Sequence, residues 1–165
     1  MATLKVKLPE DLMIGLERLS KQADAVVKKT LEAGAEIVEE KVRSNLKNVI
    51  GSGTKTESKS TGQLLGALGI SPVKPNDKLD GWDIKIGFNE PRKDYKGGTT
   101  YKKKLKSGKV SEYKLTNAMI ASILEYGKKG QAAKPFMKPA ENATKAKARA
   151  VMKRVFSEEA NKIVK

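Results

Sequence analysis

Residues Asn117 to Ala140 read NAMIASILEYGKKGQAAKPFMKPA. This is a short apolar segment, a glycine stop, a basic polar turn and a lead into a helix braced by two prolines. Met119, Ile120, Ile123 and Leu124 recur at helical spacing, Tyr126 closes the segment, and Gly127 stands where a helix commonly ends in a glycine. Pro135 and Pro139 bracket Phe136 and Met137, so the chain enters its final helix stiffly with two large apolar side chains aimed at something definite. Pro139 suits the first helical position, where a missing N–H costs nothing. The plainest reading is a helix, a turn and a helix packed on a core.

Outward from that elbow, the 165-residue chain is long enough for one domain with a real core, and residues 1–165 are read as a single domain. It has no cysteine, which excludes disulfides and thiolate metal sites. It has no histidine either, which removes the commonest general base and the commonest metal ligand. The first residues, MATLKVKLPEDL, lack the apolar run of a signal peptide, and no stretch reaches membrane-spanning length. The expectation is a chain that works in, or is assembled in, a cytoplasm.

The net charge of +15 is unevenly placed. Met1–Ile50 carries nine Lys/Arg against eight Asp/Glu, and Gly51–Pro91 five against five. Arg92–Lys114 carries nine against two, and Lys128–Lys165 eleven against three. Such asymmetry between halves points to a polyanion or an acidic protein surface, beside the plainer reading of a basic, solvated face.

In chain order, Leu4, Val6 and Leu8 alternate with lysines, so residues 1–8 form an N-terminal arm or an edge strand. Pro9-Glu10-Asp11 reads as a helix start, with Leu12, Leu16 and Leu19 as its stripe. A second, longer stripe follows from Ala23 through Val26, Leu31, Val38, Val42 and Leu46 to Val49, a rod expected to lie across a sheet. Gly51–Gly62 is a polar loop. It is not a phosphate loop, because Thr54 separates Gly53 from Lys55-Thr56 and a helix, not a strand, leads in. Leu64–Val73 predicts a helical turn running into a strand, and Trp82, Ile84, Ile86 and Phe88 alternate as a half-buried strand. Lys74–Gly81 carries the signals of a hairpin connection. The last helix, Pro139 to about Ile163, has an alanine-rich first half for close packing and Val155 and Phe156 as anchors. The fold class is therefore α+β: a long N-terminal amphipathic helix packed across a small antiparallel sheet, with a short helix and a C-terminal helix.

Arg92–Lys114 is an extended basic loop, or a hairpin of Thr99–Leu105 against Lys109–Leu115 across Lys106-Ser107-Gly108. Tyr101 stands among Arg92, Lys93, Lys96, Lys102, Lys103, Lys104, Lys106 and Lys109. Cations interleaved with aromatic rings neutralise phosphates and stack on bases, which makes these nine residues candidate contacts for DNA or an acidic partner. The competing reading is an insertion that orders only against a neighbouring subunit.

Three blocks occur in order: the long helix; Thr61-Gly62-Gln63-Leu64 ahead of a strand; and Leu124-Glu125-Tyr126-Gly127 followed by Ala133-Lys134-Pro135-Phe136-Met137-Lys138-Pro139-Ala140. Over roughly residues 20 to 160 the chain resembles the siphophage tail-completion or head–tail joining (neck) family, the "gene product ten-like" tail-component proteins. Their chains read T-G-x-L after the long helix and E-[FY]-G, then P-A-[RK]-P-F-[LM]-x-P-A near the end. Ala132 departs from that pattern, standing where a proline is usual, and the basic tract is longer than the family's loop.

The resemblance implies a structural virion protein of the neck or tail, assembled in the host cytoplasm, with no catalytic residue and no cofactor. It implies a homo-oligomeric ring, expected as a hexamer, between the head connector and the tail terminator or tail tube, with genome DNA passing through and no membrane partner. Gly127 and the prolines would fix the turn, and Phe136 and Met137 would anchor it to the core or to the adjacent subunit. Candidate interface residues are therefore Tyr126, Gly127, Pro135, Phe136, Met137 and Pro139. The reading from another class is a free basic nucleic-acid-binding protein.

Overall fold

The computed structural model describes residues 10–53, 60, 62–76, 81–90 and 100–164. The expected arm at 1–8 and most of the polar loop lie outside these residues. The two apolar patterns expected near the start are one helix, α1, Glu10–Val49, 40 residues long. Nothing between the patterns can stop it, since Ser20-Lys21-Gln22 holds neither glycine nor proline. At 1.5 Å per residue its length is roughly 60 Å.

The main partner of α1 is the last helix, α4, Met137–Val164. The two run antiparallel. A side chain on Gly15 would meet Val164, one on Gly34 would meet Met152, and Asn45 Nδ2 donates to the Phe136 carbonyl at 3.1 Å. Ala140, Thr144 and Ala148, four residues apart on α4, are buried, so small side chains let the helices close up. Phe156 does not anchor this contact as the sequence suggested. It is 46 % exposed, and Met152 fills the space above Gly34 instead.

Between the long helices the chain forms α2 (Gln63–Ala67), β1 (Leu68–Ile70), β2 (Lys74–Asn76), β3 (Gly81–Asp83), β4 (Ile86–Phe88), β5 (Thr100–Lys104), β6 (Val110–Lys114) and α3 (Asn117–Tyr126). The strands make three antiparallel pairs, β1 with β4, β2 with β3 and β5 with β6. The expected strand from Trp82 to Phe88 is divided between the first two pairs at Ile84-Lys85. Pro72, in the facing stretch between β1 and β2, has no N–H to offer a ladder. Ser71 spans the gap: its N–H donates to the Lys85 carbonyl at 2.8 Å, and its Oγ accepts from the Lys85 N–H at 2.9 Å.

α1 lies across β1, β3 and β4, with Lys28 Nζ 4.8 Å from the centre of the Trp82 ring. The core gathers Val42, Leu46, Leu64, Leu68, Ala121, Phe136 and Ala140. Phe136 and Leu46 are fully enclosed, each stabilising the fold by about 1.5–3 kcal/mol relative to exposure. The α+β architecture stands as expected.

Candidate functional site: a carboxylate-capped elbow and a basic hairpin

The elbow begins at α3. Thr116 Oγ1 accepts from the Met119 N–H at 3.1 Å, the bond an N-cap side chain makes. Glu90 adds a second acceptor, taking the Ala118 N–H at 2.9 Å, and buried Asn117 donates to the Asn89 carbonyl at 2.9 Å. These bonds tie the start of α3 to the end of β4.

The helix stops at Gly127, with φ 76° and its N–H on the Ile123 carbonyl. A side chain here would be strained by that φ, and its Cβ would also lie 2.8 Å from Ala133 N and 2.9 Å from Gln131 O. Only glycine fits. Lys128 and Gln131 then exchange backbone hydrogen bonds across Lys129-Gly130, and the Lys134 N–H reaches back to the Leu124 carbonyl at 2.7 Å. The chain has turned and lies beside α3.

Glu125 completes the elbow. Oε2 accepts from the N–H groups of Phe136 at 2.7 Å and Met137 at 2.9 Å, and Oε1 from that of Lys138 at 2.9 Å. These are the open donors at the start of α4, and Pro139, the next residue, has none. Pro139 thus stands third in the helix rather than first, but the rule that placed it still applies: it removes a donor that would otherwise lack a partner. Burial pushes the Glu125 carboxyl pKa upward. The three backbone donors outweigh that, and its pKa is held below the ordinary carboxylate value. The positive end of the α4 dipole adds to the preference for a charged oxygen. This site at the helix N-terminus is therefore occupied by the chain's own acid.

Two side chains of α1 hold the parts together. Asn45 grips the Phe136 carbonyl. Arg43 donates to the carbonyls of Leu65 at 3.0 Å and Leu68 at 2.9 Å, closing the end of α2, while Glu39 pairs with its guanidinium. Lys134 Nζ donates to the Ser52 carbonyl in the turn just past α1.

Of the residues expected at an interface, Phe136 is fully buried within its own chain, edge-on to Phe88 with ring centres 6.2 Å apart. That leaves it no surface for a neighbouring subunit. Met137 is half-buried against the same core, while Pro135 and Pro139 are exposed on the outside of the elbow. Tyr126 is 79 % exposed beside them. The sequence places Glu125 in the Leu124–Gly127 block without its capping role, and nothing in it marks Arg43 or Asn45. The signal for Glu125 was present, an acid at the end of one helix and, eleven residues on, the start of another.

Of the basic candidates, Arg92, Lys93 and Lys96 lie outside the described residues. Tyr101, Lys102, Lys103 and Lys104 are on β5, and Lys106 and Lys109 at the hairpin end. Lys102, Lys104, Lys106 and Lys109 are exposed. Residues 100–114 form a hairpin, in the register Thr100 opposite Lys114, Lys102 opposite Glu112 and Lys104 opposite Val110. The turn closes with Leu105 N–H on the Lys109 carbonyl and Gly108 at φ 82°. Among the described residues no group of His, Cys, Asp or Glu is placed to hold a metal, and no helix is long and apolar enough to cross a membrane.

A family model described as "Bacteriophage HK97-gp10, putative tail-component" matches residues 10–127. The match runs from the first residue of α1 to the glycine that ends α3, so it includes Glu125 but not the α4 donors it caps. No curated protein matches the chain, and no solved structure does.

Proposed function

Because this chain belongs to the HK97-gp10-like family of phage tail components, we propose that it is a ring subunit of the phage neck, joining the head connector to the tail tube around the DNA channel. The family match carries the reading. A tail component is a structural protein of the virion, and the elbow suits a structural role, because its buried acid caps a helix and so fixes the angle between α3 and α4. Subunits of a ring must repeat one geometry, and a joint locked by a carboxylate, a glycine and two prolines holds its angle under load. Neighbouring connector, terminator or tube proteins would meet the exposed outside of the elbow, Tyr126, Pro135 and Pro139. Assembly would take place in the host cytoplasm, with contacts to DNA independent of sequence. Electron microscopy and native mass spectrometry of the chain, alone and with its neck partners, test this reading. Closed rings are expected in at least one setting, and monomers in both would overturn it.

The exposed lysines of the β5–β6 hairpin favour a second reading, a free nucleic-acid-binding protein. Its mark is a duplex-DNA gel shift at low salt that weakens steeply as salt rises, by about 0.9 in log–log slope for each phosphate contact. No shift at low salt would remove it.

A further inference from the structure

Two surfaces of this chain carry opposite charge in matching spacing, and the packing of the described residues covers neither. The β5–β6 hairpin makes its substantial packing only strand on strand, and an isolated two-stranded hairpin is marginal in water. Lys102 and Lys104 share one face by the two-residue period, with Lys106 following at the turn. Val110, 63 % exposed, lies on that same face opposite Lys104. On α1, Glu32, Glu36 and Glu40 recur every fourth residue and are all exposed. None of the three makes an ion pair with any described residue, whereas Glu39 and Glu17 on the same helix do. Two strand residues span about 6.7 Å and four helix residues about 6 Å, so the step from Lys102 to Lys104 matches one step of the glutamate row.

We propose that the β5–β6 hairpin of one copy docks on the Glu32–Glu36–Glu40 stripe of the next, a head-to-tail contact between two different patches. Contacts of that type close into rings when the rotation allows. The inference rests on the ring reading and adds to it the surfaces that make the ring. A second copy fits the hairpin better than a nucleic acid for one reason: Val110, 63 % exposed, offers the lysine face an apolar centre of the kind a protein surface covers. Single exposed pairs contribute little, but several together around an apolar contact form a network that specifies a partner.

The test is charge reversal in the full chain, read by native mass spectrometry and negative-stain microscopy under whichever condition gives wild-type rings. Lys102→Glu/Lys104→Glu/Lys106→Glu is expected to abolish rings, as is Glu32→Lys/Glu36→Lys/Glu40→Lys. Both reversals in one chain are expected to restore them. Every side chain replaced is exposed in the wild type, and circular dichroism checks that each variant is folded. Rings that survive the hairpin reversal overturn the inference and leave the ring reading intact. A folded doubly reversed chain that stays monomeric also overturns it. So does a hairpin reversal that loses a duplex-DNA gel shift while its rings persist, since that makes the hairpin a nucleic-acid surface. A wild-type chain monomeric alone and with its neck partners overturns the ring reading and this inference with it.

Discussion

Glu125 sets one carboxylate against three backbone N–H groups, and the consequences of removing it are large for a single side chain. Glu125→Ala leaves the donors of Phe136, Met137 and Lys138 without a partner in a largely closed site. Each unsatisfied buried donor costs about 1–3 kcal/mol, and water would recover part of that. A loss of about 2–4 kcal/mol is expected by urea denaturation, with Glu125→Gln losing about half as much because one acceptor oxygen remains. The pH dependence follows from the lowered folded pKa. Near pH 4 the unfolded chain binds a proton at Glu125 that the folded chain does not. The stabilisation is therefore complete above the ordinary value of 4.5 and is lost as pH falls through the folded pKa. Below about pH 4.5 the urea midpoint of wild type should fall faster than that of Glu125→Gln. Glu159 is held down to about 2 by its bonds to Lys162 and Lys29, but it is present in both proteins and cancels in the comparison. Equal slopes would remove the capping argument.

At the scale of elements, α1 and α4 meet where glycine makes room. A Cβ on Gly34 would lie 2.6 Å from Met152 Cγ and 2.7 Å from its Sδ. Gly34→Ala gains up to about 1 kcal/mol of helix propensity but overpacks by about 1–3 kcal/mol, so a net loss is expected. Met152→Ala should turn that loss into a gain, which a double-mutant cycle in urea would read. Arg43→Ala frees the Leu65 and Leu68 carbonyls at the end of α2, and a loss of about 1–3 kcal/mol is expected. Arg43→Lys should recover little, since one ammonium cannot span both carbonyls and Glu39.

These joints also explain what could be read in advance. Periodicity announced the two stripes of α1, though not that they run as one rod, together with α2 running into β1, the β5–β6 hairpin and α3, because each is written in local spacing. Gly127 and the two prolines announced the turn. The clamps were hidden because each joins residues distant in sequence: Arg43 to Leu65 and Leu68, Asn45 to Phe136. The division of the Trp82–Phe88 strand was hidden too, since it goes with a proline in the stretch it faces, between β1 and β2. Phe156 was misjudged because helical periodicity gives a face but not whether a second element covers it.

Over the whole molecule, stability is unevenly spread. The buried core sits where the inner ends of α1 and α4 meet α2, α3 and β1, while the β5–β6 hairpin stands apart from it. Hydrogen exchange on the free chain should show β5 and β6 amides exchanging orders of magnitude faster than those of α1 around Val42 and Leu46. Docking in an assembly should slow them. Equal protection of hairpin and core in the free chain would contradict the isolated hairpin. The skewed charge could be counted from residues alone, yet only the fold places the lysines of β5 on an unpacked arm.

The antiparallel pairing of α1 with α4 has a consequence for synthesis. Roughly 90 residues separate the two helices, which at about 5–20 residues per second is roughly 5–20 s of translation. Through that interval the newborn rod carries Val26, Gly34 and their neighbours bare to the cell. The ribosome delivers the lid only after the face it covers, and a chaperone or a waiting sister chain has those seconds in which to act.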